Sequence, residues 1–122
     1  MKLIEYSDMP KVCMGSDPAI VIFSLEECQP CFVAIKIMAQ MLEAGEITAN
    51  VFVVKLSQEA SGSQRQDAAE QYGIRFFPTL AVIEANQVKA RKEGMPLQEK
   101  AAEQAVRLWL IRNRMLESAV GA

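Results

Sequence analysis

Cys28 and Cys31 stand two residues apart in "SLEECQPCFV" (24–33), with Gln29 and Pro30 between them and Glu26 and Glu27 just ahead. Three situations produce such a pair: a dithiol that cycles with a disulfide, part of a metal site, or two small buried residues without chemistry. Cys13, in "KVCMG", is the third cysteine, and the 122 residues contain no histidine. That absence removes the usual general base, the Cys–His nucleophile and most mixed zinc sites. Zinc on Cys13, Cys28 and Cys31 would lack a fourth soft ligand, so no metal is expected, and Cys13 reads as a semi-buried bystander open to a mixed disulfide or a dimer link.

The elements around the pair narrow the choice. "AIVIFSL" (19–25) is a continuous β-branched run, expected to form a strand covered on both faces. A helix is expected from 29 to 45, with Gln29, Lys36, Gln40 and Glu43 forming one narrow polar stripe, Met38 and Met41 in the core and Gly45 as the stop. The pair therefore lies where a central strand hands over to a helix, the usual place for sites in α/β folds. Unpaired N–H groups and the helix dipole at that point favour a thiolate. At a helix start the first sulfur of such a pair is exposed and the second turns inward. Cys28 is accordingly the attacking thiolate and Cys31 the resolving thiol. Pro30 suits the first turn because its missing N–H would have had no partner there.

Further along, "LIEY" (3–6) reads as an edge strand, followed by an irregular stretch through Pro10, Gly15 and Pro18. "VFVVKL" (51–56) is a second buried strand, "SQEASGSQ" a loop and "RQDAAEQYG" a helix ending at Gly73. "TLAVIEA" (79–85) and "QVKARKE" (87–93) form a hairpin turning at Asn86, and Pro96 opens a last helix from Leu97 to about Glu117. Arg107, Arg112 and Arg114 are expected on its solvated face. The order β-α-β-α-β-β-α predicts an α/β domain with a mixed central sheet and helices on both faces, spanning 1–122 as one unit.

With "CQPC" after an apolar strand and "YGIRFFPTL" (72–80) ahead of a hairpin, the chain resembles the thioredoxin family from about residue 19 to 110. The resemblance implies a three-layer α/β/α fold and a thiol–disulfide oxidoreductase that needs no bound cofactor. It implies that Pro78 follows a cis peptide bond facing the cysteines. Pro30, Phe76, Phe77, Pro78 and Thr79 would bind substrate, with Gly94 on the groove rim. Lys55 matches a lysine lying beneath the active site in thioredoxins. Partners implied are a disulfide-containing protein and a disulfide reductase that recharges the dithiol.

The chain also departs from that family. The position of the buried aspartate that moves the inner cysteine's proton is Ile22, and the tryptophan before the first cysteine is Glu27. Slow release of substrate from the mixed disulfide is expected unless Lys55, Glu26 or water relays the proton. Glu26 and Glu27 oppose the helix N-terminus at Cys28, the two effects each being about 1 kcal/mol. Trp109 is expected in core or oligomer packing.

A net charge of −2 argues against a general grip on nucleic acid or anionic lipid, and no apolar run approaches the ~20 residues of a membrane span. The N-terminus lacks a signal-peptide core, so a cytoplasmic monomer reducing protein disulfides is expected. The competing reading is a binding or chaperone module presenting Phe32, Phe76 and Phe77, with little redox turnover.

Overall fold

Ala19–Leu25 is apolar at nearly every position, so it must be covered on both sides, and the fold is built around it. The computed structural model describes residues 1–56 and 62–116, with the backbone alone described for Gly62 and Ser63. These form strands β1 (Lys2–Ile4), β2 (Ala19–Leu25), β3 (Asn50–Leu56), β4 (Thr79–Glu84) and β5 (Gln87–Glu93). The helices are α1 (Met9–Val12), α2 (Gln29–Glu43), α3 (Gly62–Tyr72) and α4 (Glu99–Arg112). Sheet order is β1-β3-β2-β4-β5, with β1, β3 and β2 parallel and β4 antiparallel to both β2 and β5.

Strand alternation splits the core in two. Ile20, Ile22, Val53, Leu80 and Val82 pack with Ala34, Ile37, Met38 and Met41 of α2 and Val106 and Leu110 of α4. On the opposite face Val21, Phe23, Val54, Leu56 and Ala81 pack with Met9 of α1 and Ala68 and Tyr72 of α3. The result is the three-layer α/β/α arrangement. Trp109 is buried in the first cluster, which resolves its role as core packing. No helix of the described residues is long and apolar enough to cross a membrane.

Several boundaries move relative to the sequence reading. β1 ends at Ile4, and the stretch expected to be irregular holds a 3-10 turn (Tyr6–Asp8) and α1, with Pro10 in its first turn. That helix has four residues, too few to show a periodicity. α3 begins at Gly62, inside the expected loop, whose residues 57–61 lie outside the described ones. α4 starts two residues later than expected, because Gln98 is extended (φ −77, ψ 124) and serves as N-cap, leaving Pro96 and Leu97 outside. It ends at Arg112. Arg114 adopts φ +57, its N–H donates to Ile111 O, and the Met115 N–H donates to Leu110 O. This is the hydrogen-bond pattern that closes α2 at Gly45, made here without glycine. Leu116 then bridges back to Ile47, and Glu117 lies outside the described residues. Arg107 is not a free solvated cation: it pairs with Glu46 beyond the end of α2 and with Glu103 on its own helix.

Strand register decides what meets at the site. Phe23 of β2 pairs with Thr79 of β4, Thr79 pairs with Glu93 of β5, and Ser24 pairs with Lys55 of β3. One end of the sheet therefore carries the exit of β2 toward Cys28, the Phe77–Pro78 segment entering β4, and Glu93 leaving β5. Cys13 sits at the other end. Its carbonyl accepts the Asn86 N–H at 2.6 Å, from the hairpin turn where Ala85 and Asn86 both have positive φ (49 and 59).

Candidate active site

Glu27 adopts a left-handed conformation (φ 55) that turns the chain out of β2. Cys28 follows in extended geometry as the N-cap of α2, and its Sγ accepts the Cys31 N–H at 3.3 Å. A sulfur thus occupies the place where serine or aspartate oxygen commonly caps a helix. Negative charge developing there meets the unpaired N–H groups and positive end of the dipole. Cys28 is half-buried, Cys31 is 1% exposed, and the two are joined as a disulfide with Cα atoms 5.2 Å apart. Pro30 sits in the first turn of α2. Glu26 and Glu27 are exposed.

The second half of the site is the loop entering β4. The Phe77–Pro78 peptide bond is cis. Thr79 is fully buried and its hydroxyl donates to Phe76 O at 2.6 Å, while the Gly94 N–H donates to Pro78 O at 2.8 Å. Gly94 has φ +76, a conformation suited to glycine, and through it β5 holds the loop from the far side. Phe76 is 58% exposed and Phe32, in the first turn after Cys31, 46% exposed. Phe76, Phe77, Glu93 and Gly94 line an open groove of about 320 Å³. The Arg65 guanidinium of α3 lies 5.6 Å from the Phe77 ring centroid, a cation–π contact.

Several expectations need correction. Pro78 and Thr79 are buried, so their side chains do not form the groove surface; Thr79 braces the loop from within. Lys55 is exposed near the end of β3, paired with Ser24 where β2 leaves the sheet toward the cysteines. Cys13 is 2% exposed and burial pushes its thiol up, so in the folded chain it is closed to the mixed disulfide left open above. Ile22 is fully buried between Val53 and Leu80. The buried polar side chains among the described residues are Ser24 and Thr79, and neither is an acid.

Sequence reasoning missed Arg65 and Glu93. Glu93 had a faint signal, standing beside Gly94. Arg65 had none, because its contact with Phe77 comes from packing α3 over the sheet.

A three-layer α/β/α fold with a disulfide-forming pair at the strand–helix junction defines a thioredoxin-like thiol–disulfide oxidoreductase. No family model matches the sequence. The thioredoxin of Haemophilus influenzae is 32% identical over 94 residues, which cover 75% of this chain and 80% of that relative. On that similarity the chain belongs to the thioredoxin family. Solved structures agree on the fold. The thioredoxin of Malassezia sympodialis superimposes with a TM-score of 0.64 at 18% identity, covering 88% of this chain and 89% of its own. That of Fasciola hepatica gives 0.63 at 22% identity, covering 92% and 98%.

Proposed function

We propose that this protein reduces disulfides in other proteins through the Cys28–Cys31 dithiol. The observation that carries this reading is the cap geometry. The half-buried Cys28 sulfur accepts the Cys31 N–H at the start of α2, while Cys31 is held inside. Cys28 thiolate attacks one sulfur of a substrate disulfide, forms a mixed disulfide and expels the other sulfur as thiolate. Cys31, deprotonated, then attacks Cys28 Sγ and releases the second substrate thiolate. Two electrons pass from the dithiol to the substrate, and the protein is left in the disulfide form seen here. No bound cofactor takes part, and a disulfide reductase returns the electrons.

Substrate lies as an extended segment over the groove of Phe76, Phe77 and Gly94, with the backbone before Pro78 pairing to it. Pro30 borders the cysteines, and Glu27 and Lys55 set the charge around them. Among the described residues no carboxylate is buried to receive the Cys31 proton, and Ile22 stands at the position where the resemblance to thioredoxins puts an acid. The proton leaves through Lys55, Glu26 or water, which makes resolution the slow step. The setting is the cytoplasm and the protein acts there as a monomer in cell redox homeostasis.

The exposed Phe32 and Phe76 favour the second reading, a binding module that holds unfolded or partner segments without turnover. A disulfide-reduction assay separates the two. Reduction proceeds in the wild type, is lost in Cys28→Ser, and stops at a trapped mixed disulfide in Cys31→Ser. Negligible wild-type turnover with intact partner binding refutes the reductase. A dithiol potential near −270 mV accords with a reductant, and one near about −120 mV would reverse the direction.

A further inference from the structure

Phe77 is the shared wall of two cavities whose linings carry opposite charge. On the α3 side it borders an open cavity of about 210 Å³ lined also by Arg65, Ala69, Ile74 and Arg75. On the β5 side it borders the groove with Phe76, Glu93 and Gly94. Arg65, Arg75 and Glu93 are all exposed. Among the described residues none of the three enters an ion pair, the pairs there being Lys36–Glu99, Arg107–Glu46 and Arg107–Glu103. Arg65 is instead laid over the Phe77 ring, which fixes a cation on one flank of the groove. The backbone of Glu93 is held beside the groove by its pairing to Thr79 and by Gly94, the next residue, whose N–H donates to Pro78 O, and its exposed side chain lines the groove.

We infer that this groove sorts substrates by charge order. It selects disulfide segments with an acidic side chain on the Arg65–Arg75 flank and a basic one on the Glu93 flank. The inference rests on the reductase reading, since the segment in question is the one attacked by Cys28. A strand crossing Phe77 puts side chains to either side of the ring. One charge order then meets opposite charges on both flanks, and the reversed order meets like charges on both.

The test uses two disulfide-linked peptides of identical composition. One has glutamate before and lysine after the reactive cysteine; the other has them reversed. Net charge is the same, so long-range attraction or repulsion by the whole protein cancels from the comparison. The kcat/KM values should differ by about fivefold or more at low salt, the ratio expected of one unit-charge contact near 4 Å in water. The ratio should shrink toward unity at about 1 M salt, where the screening length is ~3 Å. It should also shrink in Arg65→Gln/Arg75→Gln and in Glu93→Gln. Hydroxyethyl disulfide, uncharged and too small to reach either flank, serves as the wild-type control. Equal rates for the two peptides while that control is turned over overturn the charge-order inference alone. A preference that survives both sets of variants overturns it as well. Failure to turn over any disulfide overturns the reductase reading, and this inference with it.

Discussion

Ile22→Asp is the substitution that most directly probes why this site is built as it is. Ile22 is fully buried between Val53 and Leu80 and packs in the cluster that includes Ala34 and Met38. Losing its burial costs about 1.5–3 kcal/mol. Burying a polar group in its place costs about 1–3 kcal/mol more. The sum, ~3–6 kcal/mol, approaches the ~5–15 kcal/mol total of an ordinary domain. Ile22→Asn carries nearly the same volume and polarity without an ionisable proton, so it is the control. Burial raises the pKa of the introduced carboxyl above its unfolded value of about 3.9. With the folded value the higher one, the Asp variant is least destabilised below about pH 4. Its penalty then grows by about 1.4 kcal/mol per pH unit until the folded pKa is passed, and the Asn variant shows no such slope.

Lys55 lies two residues beyond Val53 on β3, on the same face as Ile22. If proton removal from Cys31 limits resolution, the ionised Asp variant should release substrate from the mixed disulfide at least about tenfold faster than wild type. That is a modest share of the 10²–10⁴ that general bases contribute. The assay is single-turnover release of a labelled peptide from its mixed disulfide across pH, with urea unfolding of each variant alongside. Folded Asp and Asn variants releasing peptide at the wild-type rate would falsify the view that a missing buried acid sets the slow step.

Three further outcomes are expected. Thr79→Val removes the 2.6 Å hydrogen bond to Phe76 O; stability should fall by about 1 kcal/mol, and KM for protein disulfides should rise more than kcat falls. Gly73→Ala places a Cβ 1.8 Å from Arg91 Nη1, at φ +70, and displaces the guanidinium from the Tyr72 and Gly73 carbonyls that end α3. A loss of about 2–3 kcal/mol in urea unfolding is expected, smaller in an Arg91→Ala background where the steric part is gone. The Arg107 hydrogen bonds hold the Glu46 carboxyl below the usual carboxylate range. With the folded value the lower one, that contribution is present above the unfolded pKa and fades as pH falls through the folded value. Wild type should thus lose more stability than Glu46→Gln on acidification below about pH 4.

Much of this was legible from local chemistry. The continuous apolar run of 19–25 and the period-3.6 pattern of 29–43 depend on neighbours along the chain, so strand, helix and the junction bearing Cys28 could be read directly. The proline loop was legible because Pro78 and its flanks are covalently adjacent. Element ends were less so. The stop at Gly45 shows in the sequence because glycine adopts positive φ without penalty, whereas the identical stop at Arg114 carries no such mark.

By itself, then, the sequence determined the five strands, helices α2 to α4 and the place of the cysteine pair at a strand–helix junction, since propensity and periodicity are local properties. Only the tertiary structure decided what faces what. Strand register brought Glu93 beside the proline loop, and the packing of α3 laid Arg65 over Phe77. Burial turned Thr79 from a groove residue into a brace and closed Cys13 away from exchange. These depend on pairings between distant segments, and their energies come from burial and contact, which no short stretch of chain encodes.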